Sequence, residues 1–166
     1  MPPKVTLRYQ RVSDAKRFYE ILDNPNFTYF RVRPDSVEAE REFLRQNAKR
    51  RKENHSHNYS ILYGDRLIGG CGIKIDQHRK FIGEIGYFID EAYWGRGIAV
   101  KAVRLLEKIG FEELGIIRME IRINTAHKNS ERVAIKAGYI KEGTFRKAIG
   151  DSGEINDAHV YAKIRD

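Results

Sequence analysis

The stretch Glu91-Ala92-Tyr93-Trp94-Gly95-Arg96-Gly97-Ile98-Ala99 places two glycines between an aromatic pair and a run of helix-forming residues. Glycine lets the backbone adopt positive φ and lets a ligand approach it closely. A helix that begins near Ile98 leaves its first amides without carbonyl partners, and such amides bind phosphate together with the helix dipole. Arg96 adds a positive charge and several donors. The stretch therefore predicts a phosphate or pyrophosphate site between a strand and a helix.

Two other phosphate-binding loops fit this stretch less well. A P-loop requires Gly-Lys-Ser/Thr, which the sequence lacks. A dinucleotide fingerprint requires a third glycine, where this chain has Val100, and an acidic residue about 20 positions later, where residues 118–122 carry mostly positive charge. An ordinary tight turn, with Trp94 as a packed aromatic residue, is the remaining alternative.

The length and composition describe one globular domain over residues 1–166. The chain has 31 basic and 23 acidic residues, a net charge of +8, which favours polyanionic partners. Cys71 is the single cysteine, so an intrachain disulfide and a cysteine-based metal site are excluded, and we expect no metal. The sequence has no long apolar run, so we expect a soluble, cytoplasmic protein that does not bind membranes.

Hydrophobic periodicity predicts a mixed α/β chain in the order β-α-α-β-β-β-α-β-α-β-β. The second helix is predicted to run without a break from Asp35 or Ser36 to about Lys52, and the third over about 98–114. The fifth strand has an apolar and a polar set of alternating residues, which places the two sets on opposite faces of the strand. The apolar set is Ile117, Met119, Ile121 and Ile123, and the polar set is Arg118, Glu120, Arg122 and Asn124.

The glycine stretch, with its preceding strand and following amphipathic helix, resembles the acetyl-CoA pyrophosphate loop of the GCN5-related N-acetyltransferases, the GNAT superfamily. The pattern of that family is Gln/Arg-x-x-Gly-x-Gly/Ala. Gly97 and Ala99 match its last two fixed positions, whereas Trp94 replaces the first. Tyr-Trp-Gly-Arg/Lys-Gly is typical of the RimJ/RimL-like branch, the ribosomal-protein N-terminal acetyltransferases.

Later segments resemble the same branch. Residues 129–139, NSERVAIKAGY, are similar to its Ser-x-Arg-Val-x-x-Lys-x-Gly-Phe segment, and residues 142–146, EGTFR, to its Glu-Gly-x-x-Arg segment. Residues 157–162 are similar to its last strand. The resemblance implies a GNAT fold: a central mixed, mostly antiparallel twisted sheet of about seven strands, flanked by about four helices and split between strands four and five.

The resemblance also implies that acetyl-CoA, as cosubstrate, binds in the opening between strands four and five. The pantetheine arm would pair with strand four at Phe88 and Ile89, and Asn124 and Asn129 would contact it. The pyrophosphate would bind to the glycine loop, whose implied contact residues are Trp94, Gly95, Arg96, Gly97, Ile98 and Ala99.

Acyl transfer from a thioester benefits from a proton donor to the departing thiolate. The resemblance assigns this role to Ser130, and the alternative is that Ser130 or Asn129 caps the helix. Many members of the family use a tyrosine at the position of Ala134 instead, so that tyrosine is absent here. The branch usually has asparagine at the position of His127, and we expect His127 to be an exposed loop residue.

The transfer also needs a neutral amine, and Glu84 on strand four is the first candidate for the base that accepts the amine proton. A salt bridge to an arginine is the alternative role of Glu84. Glu120 is the second candidate and His159 the third, although a lone histidine on a strand is usually structural. An N-terminal α-amine, with a pKa of about 7.7–8.0, needs less help from a base.

The resemblance implies an N-acetyltransferase that moves the acetyl group directly to a primary amine in a ternary complex. The acceptor is a protein or peptide N-terminus or a small amine, and ribosome association and a homodimer are compatible with this function. One alternative is a non-catalytic acyl-CoA-binding sensor. Another is a basic nucleic-acid-binding or ribosome-binding module, suggested by the net charge and by the basic run Lys49–Lys52.

Overall fold

A computed structural model describes residues 1–30, 33–151 and 153–166. Its centre is a seven-stranded sheet in the order β1-β2-β3-β4-β5-β7-β6. The pair β4–β5 is parallel and the other neighbouring strands are antiparallel. The strands are β1 Val5–Tyr9, β2 Ser56–Tyr63, β3 Arg66–Ile75, β4 Ile82–Ile89, β5 Arg118–Asn124, β6 Ile140–Asp151 and β7 Glu154–Ile164.

The helices lie between the strands in the predicted order, so the α/β fold expected from the resemblance is confirmed. They are α1 Ala15–Leu22, α2 Val37–Arg45, α3 Asn47–Lys52, α4 Ile98–Lys108 and α5 Lys128–Lys136. No helix of the described ranges is long and apolar enough to cross a bilayer.

Two predicted helices have different ends in the structure. Ser36 caps α2 as expected, with its hydroxyl accepting from the Ala39 N–H at 3.0 Å. The prediction of one helix to Lys52 was wrong, because the chain divides at Gln46, where the buried Asn47 turns its amide to Gln10 at 2.8 Å. The third predicted helix leaves α geometry after Lys108, and a π-helical turn covers Ile109–Glu113.

The two faces of the sheet have separate apolar clusters. On one face, Ala102, Val103 and Leu106 of α4 are fully buried against the sheet. On the other, Phe18 of α1 and Leu44 of α2 pack with Phe88 of β4. Burial of each aliphatic or aromatic side chain contributes about 1.5–3 kcal/mol, so both faces of β4 are held firmly in place.

The predicted split between strands four and five is present. In the described chain, β4 and β5 pair from Ile82 with Arg118 to Glu84 with Glu120. Beyond these positions β4 continues to Ile89 and β5 to Asn124 without recorded pairing to each other. The two strands therefore separate at their carboxyl ends, where an α/β sheet commonly binds its ligand.

The apolar set predicted on β5 lies on the buried side except at its first residue. Met119, Ile121 and Ile123 are buried, but Ile117 lies before the strand and is 43% exposed. Two residues of the polar set, Glu120 and Asn124, are buried as well. Both faces of β5 are covered there because it is an inner strand between β4 and β7.

Candidate active site

A cavity of about 870 Å³ occupies the split in the sheet. Residues from the carboxyl halves of β4 and β5 line it, together with the starts of α4 and α5 and the segment Asn26–Phe30. Its volume lies within the range of about 300–1,000 Å³ that is usual for small-molecule and cofactor sites. The cavity is therefore large enough for an extended ligand that reaches both faces of the sheet.

The glycine loop forms one end of this cavity. Gly95 and Gly97 have φ of +76° and +74°, and no heavy atom lies within 4 Å of where a Cβ would stand on either. Gly97 immediately precedes α4, whose first amides point out of the helix at Ile98 and Ala99. Open space at the two glycines, next to amides without helical partners, is what the predicted pyrophosphate site requires.

The loop residues named from the sequence do not all reach the cavity. Trp94, Gly95, Gly97, Ile98 and Ala99 line it. Arg96 is outside the described lining, and its guanidinium lies over the Tyr93 ring, 5.1 Å from the centroid.

The Trp94 side chain holds the loop against the end of β4. Its indole N–H donates to the Ile89 carbonyl at 2.7 Å. Phe88 and Ile89 both line the cavity, as expected for the strand that pantetheine would extend. The Ile89 carbonyl already accepts the indole hydrogen bond. A ligand that pairs with β4 therefore finds the other backbone N–H and C=O groups of this strand more available.

The segment between α1 and α2 forms a wall that the sequence did not reveal. Asn24 and Asn26 donate their amides to Glu91 at 2.6 and 2.7 Å. Phe30 packs edge-on against Phe88, with ring centroids 5.4 Å apart. These contacts connect positions more than 55 residues apart, which no local pattern indicates.

Ser130 lies in the first turn of α5 and lines the cavity, but it does not cap the helix. The N-cap position is His127, and Ser130 is three residues inside. The Ser130 hydroxyl is instead 2.9 Å from the hydroxyl of Tyr87 on β4. The capping alternative for Ser130 and Asn129 was therefore wrong, and Tyr87 is a cavity residue that the sequence analysis missed.

Two asparagines and one histidine surround the start of α5. Asn124 and Asn129 line the cavity as predicted. The Asn124 Oδ1 accepts from the Ala126 N–H at 2.9 Å, which shapes the turn before the helix. His127 is not the exposed loop residue we expected, because its ring stacks on Tyr29 with centroids 4.6 Å apart and lines the cavity.

The three candidate bases have different surroundings. Glu84 is half-buried and lines the cavity. Glu120 is engaged in ion pairs, with Arg118 at 2.8 Å and with Arg122 at 3.3 Å. The ion pairs of Glu120 are those of a structural residue, whereas Glu84 stays a candidate base because it lines the cavity.

His159, the third candidate, is held between a side chain of β6 and a side chain of α5. Its Nδ1 lies 2.8 Å from the Thr144 hydroxyl, and its Nε2 lies 3.6 Å from Glu131. Burial is the main factor that lowers the pKa of His159. These contacts are those of a structural histidine.

Glu84 and Ser130 reach the cavity from opposite faces of β4. Glu84 shares a face with Phe88 by the period of two, whereas Tyr87, which bonds Ser130, points to the other face. A thioester placed in the split would therefore have a carboxylate on one side and a hydroxyl on the other. This is the arrangement needed to remove a proton from an attacking amine and to supply one to a leaving group.

Comparisons with known proteins agree with this geometry. The family model described as Acetyltransferase (GNAT) domain matches residues 4–140. Probable N-acetyltransferase YjcK of Bacillus subtilis is 34% identical over 130 residues, which cover 76% of this chain and 72% of the relative. Ribosomal-protein-serine acetyltransferase of Escherichia coli is 27% identical over 131 residues, covering 79% of this chain and 73% of the relative.

Solved structures show the same fold. RimL, the ribosomal L7/L12 alpha-N-protein acetyltransferase in complex with coenzyme A, aligns with a TM-score of 0.86 at 22% identity, covering 98% of this chain and 94% of that chain. The family match and the relatives confirm the predicted resemblance to RimJ/RimL-like proteins. The chain belongs to the GNAT acetyltransferase family and is an N-acyltransferase that uses acetyl-CoA.

Proposed function

We propose that residues 1–166 act as one domain that transfers the acetyl group of acetyl-CoA directly to the α-amine of a protein or peptide N-terminus. The observation that carries the proposal is the presence of Glu84 and Ser130 in one cavity, on opposite faces of β4. The reaction would take place in the cytoplasm, in a ternary complex of enzyme, acetyl-CoA and acceptor.

Acetyl-CoA would bind along the split in the sheet. The amides of residues 97–99 and the dipole of α4 would hold the pyrophosphate, next to the open space at Gly95 and Gly97. Phe88, Ile89, Asn124 and Asn129 would contact the pantetheine arm. A backbone N–H of β4 would donate to the oxyanion that forms at the thioester carbonyl.

The amine would approach from the face of the sheet that carries Glu84. There Glu84, directly or through a water molecule, would accept the proton that the attacking nitrogen loses. On the other face, the Ser130 hydroxyl would donate to the departing sulfur. An N-terminal α-amine has a pKa of about 7.7–8.0, so a useful fraction is already neutral near pH 7.5 and a moderate base is sufficient.

The charges of the cavity favour an N-terminus over a polyamine. Glu84 is the single carboxylate among the described lining residues, whereas Lys74, Arg122, Arg132 and Lys136 are basic. A polyamine has several positive charges that these side chains would repel, while an N-terminal residue has one charge, which is lost before attack. The curated relative named for ribosomal-protein serine acetylation supports the same acceptor class, with ribosome association as a consequence.

The test has two steps, which separate binding from catalysis. Isothermal calorimetry first measures the affinity for acetyl-CoA. Release of the CoA thiol is then followed with peptides that begin with serine or alanine, and with spermidine and an aminoglycoside for comparison. We expect saturable binding and turnover with at least one peptide. Binding without turnover on any amine would indicate an acyl-CoA sensor, and no binding at millimolar acetyl-CoA would favour the basic nucleic-acid-binding module.

A further inference from the structure

The Tyr87–Ser130 pair joins two elements that meet at the cavity. The two hydroxyl oxygens are 2.9 Å apart, and either can be the donor. Tyr87 comes from β4 and Ser130 from the first turn of α5, and both side chains line the cavity. Each hydroxyl has one proton, so a single hydrogen bond between them leaves one proton free to point into the cavity.

The chemistry of the two hydroxyls indicates which of them donates. A phenol is a much stronger acid than an aliphatic alcohol, so the Tyr87 O–H is the better donor and Ser130 Oγ the better acceptor. Burial is the main cause that raises the pKa of Tyr87 above its ordinary value. Tyr87 therefore keeps its proton over the usual pH range, and the Ser130 proton is the one directed at the ligand.

We propose that Tyr87 is a positioning residue that directs the Ser130 hydroxyl at the departing sulfur and passes its own proton to Ser130. The inference deepens the proposed acyl transfer and rests on it. It also explains how a serine can protonate a thiolate: an alcohol by itself is a far weaker acid than a thiol, so Ser130 needs a second group that replaces its proton.

The amine nitrogen forms a bond to the thioester carbonyl carbon, and the C–S bond breaks with its electron pair staying on sulfur. The Ser130 O–H proton moves to sulfur while the Tyr87 O–H proton moves to Ser130 Oγ. Glu84 accepts the proton that the amine nitrogen loses and releases it to solvent, and solvent returns one proton to Tyr87. The net reaction converts the amine and acetyl-CoA into the amide and CoA thiol.

The test uses CoA itself as the probe, so it does not depend on the acceptor. The ultraviolet absorbance of the bound thiolate is titrated with pH, and the same titration with desulfo-CoA is subtracted. In the wild-type complex, the Ser130 hydroxyl should stabilise the CoA thiolate and lower the pKa of the bound thiol below that of free CoA. Tyr87→Phe, which removes only the hydroxyl, should raise the pKa of the bound thiol by about one unit, with unchanged affinity for CoA.

The double variant tests whether Tyr87 acts through Ser130. Ser130→Ala should raise the thiol pKa by at least as much as Tyr87→Phe, and the double variant no further than Ser130→Ala. Tyr161→Phe is a matched control, because it removes a tyrosine hydroxyl that donates to Glu131 of the same helix at 2.9 Å. It should leave the thiol pKa at the wild-type value.

Three outcomes would overturn the inference. One is the same thiol pKa in wild type and Tyr87→Phe with normal CoA affinity, which leaves the proposed function intact. Another is additive shifts in the double variant. A third is a raised pKa of the bound thiol in Ser130→Thr, because this variant keeps the hydroxyl. Ser130→Thr also serves as the test should Tyr87→Phe not fold. Failure of the wild-type protein to bind CoA would remove both the inference and the proposed function.

Discussion

The ring of Phe27 lies edge-on to the indole of Trp94, with centroids 5.3 Å apart and an interplanar angle of 66°. Phe27 belongs to the wall between α1 and α2, whereas Trp94 belongs to the glycine loop before α4. The contact therefore joins the wall of the cavity to the residues proposed for the pyrophosphate. Because one segment contacts both parts, we expect occupancy of the glycine loop to affect the order of residues 24–30.

Replacing Glu91 tests this connection. Glu91→Ala removes the acceptor of two amide hydrogen bonds, from Asn24 and Asn26, at the protein surface. We expect faster amide hydrogen exchange in residues 24–30 and a KM for the acceptor peptide that rises by about 3–10-fold, which corresponds to about 1 kcal/mol. Exchange mass spectrometry and steady-state kinetics measure both. An unchanged exchange rate in this segment would show that Phe27 and Trp94 hold it without Glu91.

Replacing Gly97 tests the pyrophosphate site. Gly97→Trp should abolish acetyl-CoA binding, because its side chain would fill the open space above the first amides of α4. Its positive φ of +74° also costs about 1–2 kcal/mol of stability for any L side chain. Gly115→Trp is the matched control, with φ +70° and open surroundings outside the cavity. Calorimetry should show normal binding in the control and none in Gly97→Trp, and equal affinities would refute the loop assignment.

Replacing Ser130 separates catalysis from folding. Ser130→Ala should lower kcat by about 100-fold or more while the affinity for acetyl-CoA changes little, since the hydroxyl acts on the leaving group. The lost bond to Tyr87 should cost only about 1 kcal/mol of unfolding free energy. Kinetics on the best peptide and urea unfolding give the two values. If the loss of stability accounts for the whole decrease in kcat, the role of Ser130 is purely structural.

Replacing Glu84 tests the base and depends on pH. Glu84→Gln should lower kcat/KM for a peptide N-terminus by about 100-fold at pH 7. The deficit should shrink above about pH 8, where the α-amine is already neutral. Glu120→Gln, which breaks ion pairs with Arg118 and Arg122, should instead lower stability and change kcat/KM by less than tenfold. A larger rate loss in Glu120→Gln than in Glu84→Gln would exchange the two assignments.

The buried Asp14 makes the fold sensitive to acid. Burial alone would raise the pKa of Asp14, but hydrogen bonds from Arg8, Ser60 and the Arg11 backbone outweigh burial and lower the pKa below its ordinary value. The stability that the Asp14 carboxylate contributes to the fold is therefore complete above its pKa in the unfolded chain, about 3.9. It is lost as pH falls through the lower pKa of Asp14 in the folded protein. Asp14→Asn should lower the unfolding free energy by about 2 kcal/mol at pH 7, and the difference from wild type should shrink below about pH 4. A difference independent of pH would contradict this interpretation.

The parts of the fold that depend on local pattern were predictable. Strand β3, Arg66–Ile75, follows from the Gly64-Asp65 turn that makes it a hairpin partner of β2, and the start of α4 at Ile98 follows from the Gly95 and Gly97 pair, since these signals lie within a few positions. The family resemblance added the mostly antiparallel sheet of about seven strands and the split between β4 and β5. Both were confirmed because they arise from blocks that occur in a fixed order along the chain.

One alternative and one expectation failed where a neighbouring element changed the environment. Ser130 has the residue type and position of a plausible helix cap, yet the helix begins earlier, and its hydroxyl meets Tyr87 instead. His127 lies in a loop as expected, but it is half-buried rather than exposed because the ring of Tyr29 covers one face of it. Local sequence determines which groups are available, whereas the packing of separate elements decides which groups meet.

The sequence by itself determined the class of fold, the glycine loop before α4 and the positions of Glu84 and Ser130, because periodicity, positive-φ glycines and family blocks are local properties of the chain. The tertiary structure alone decided that Tyr87 stands behind Ser130, 43 residues away, and that residues 26–30 close one side of the cavity. The physical reason is that strand register and helix packing set the distances between remote side chains. At a separation of 2.9 Å, a hydrogen bond depends on that geometry and not on spacing along the sequence.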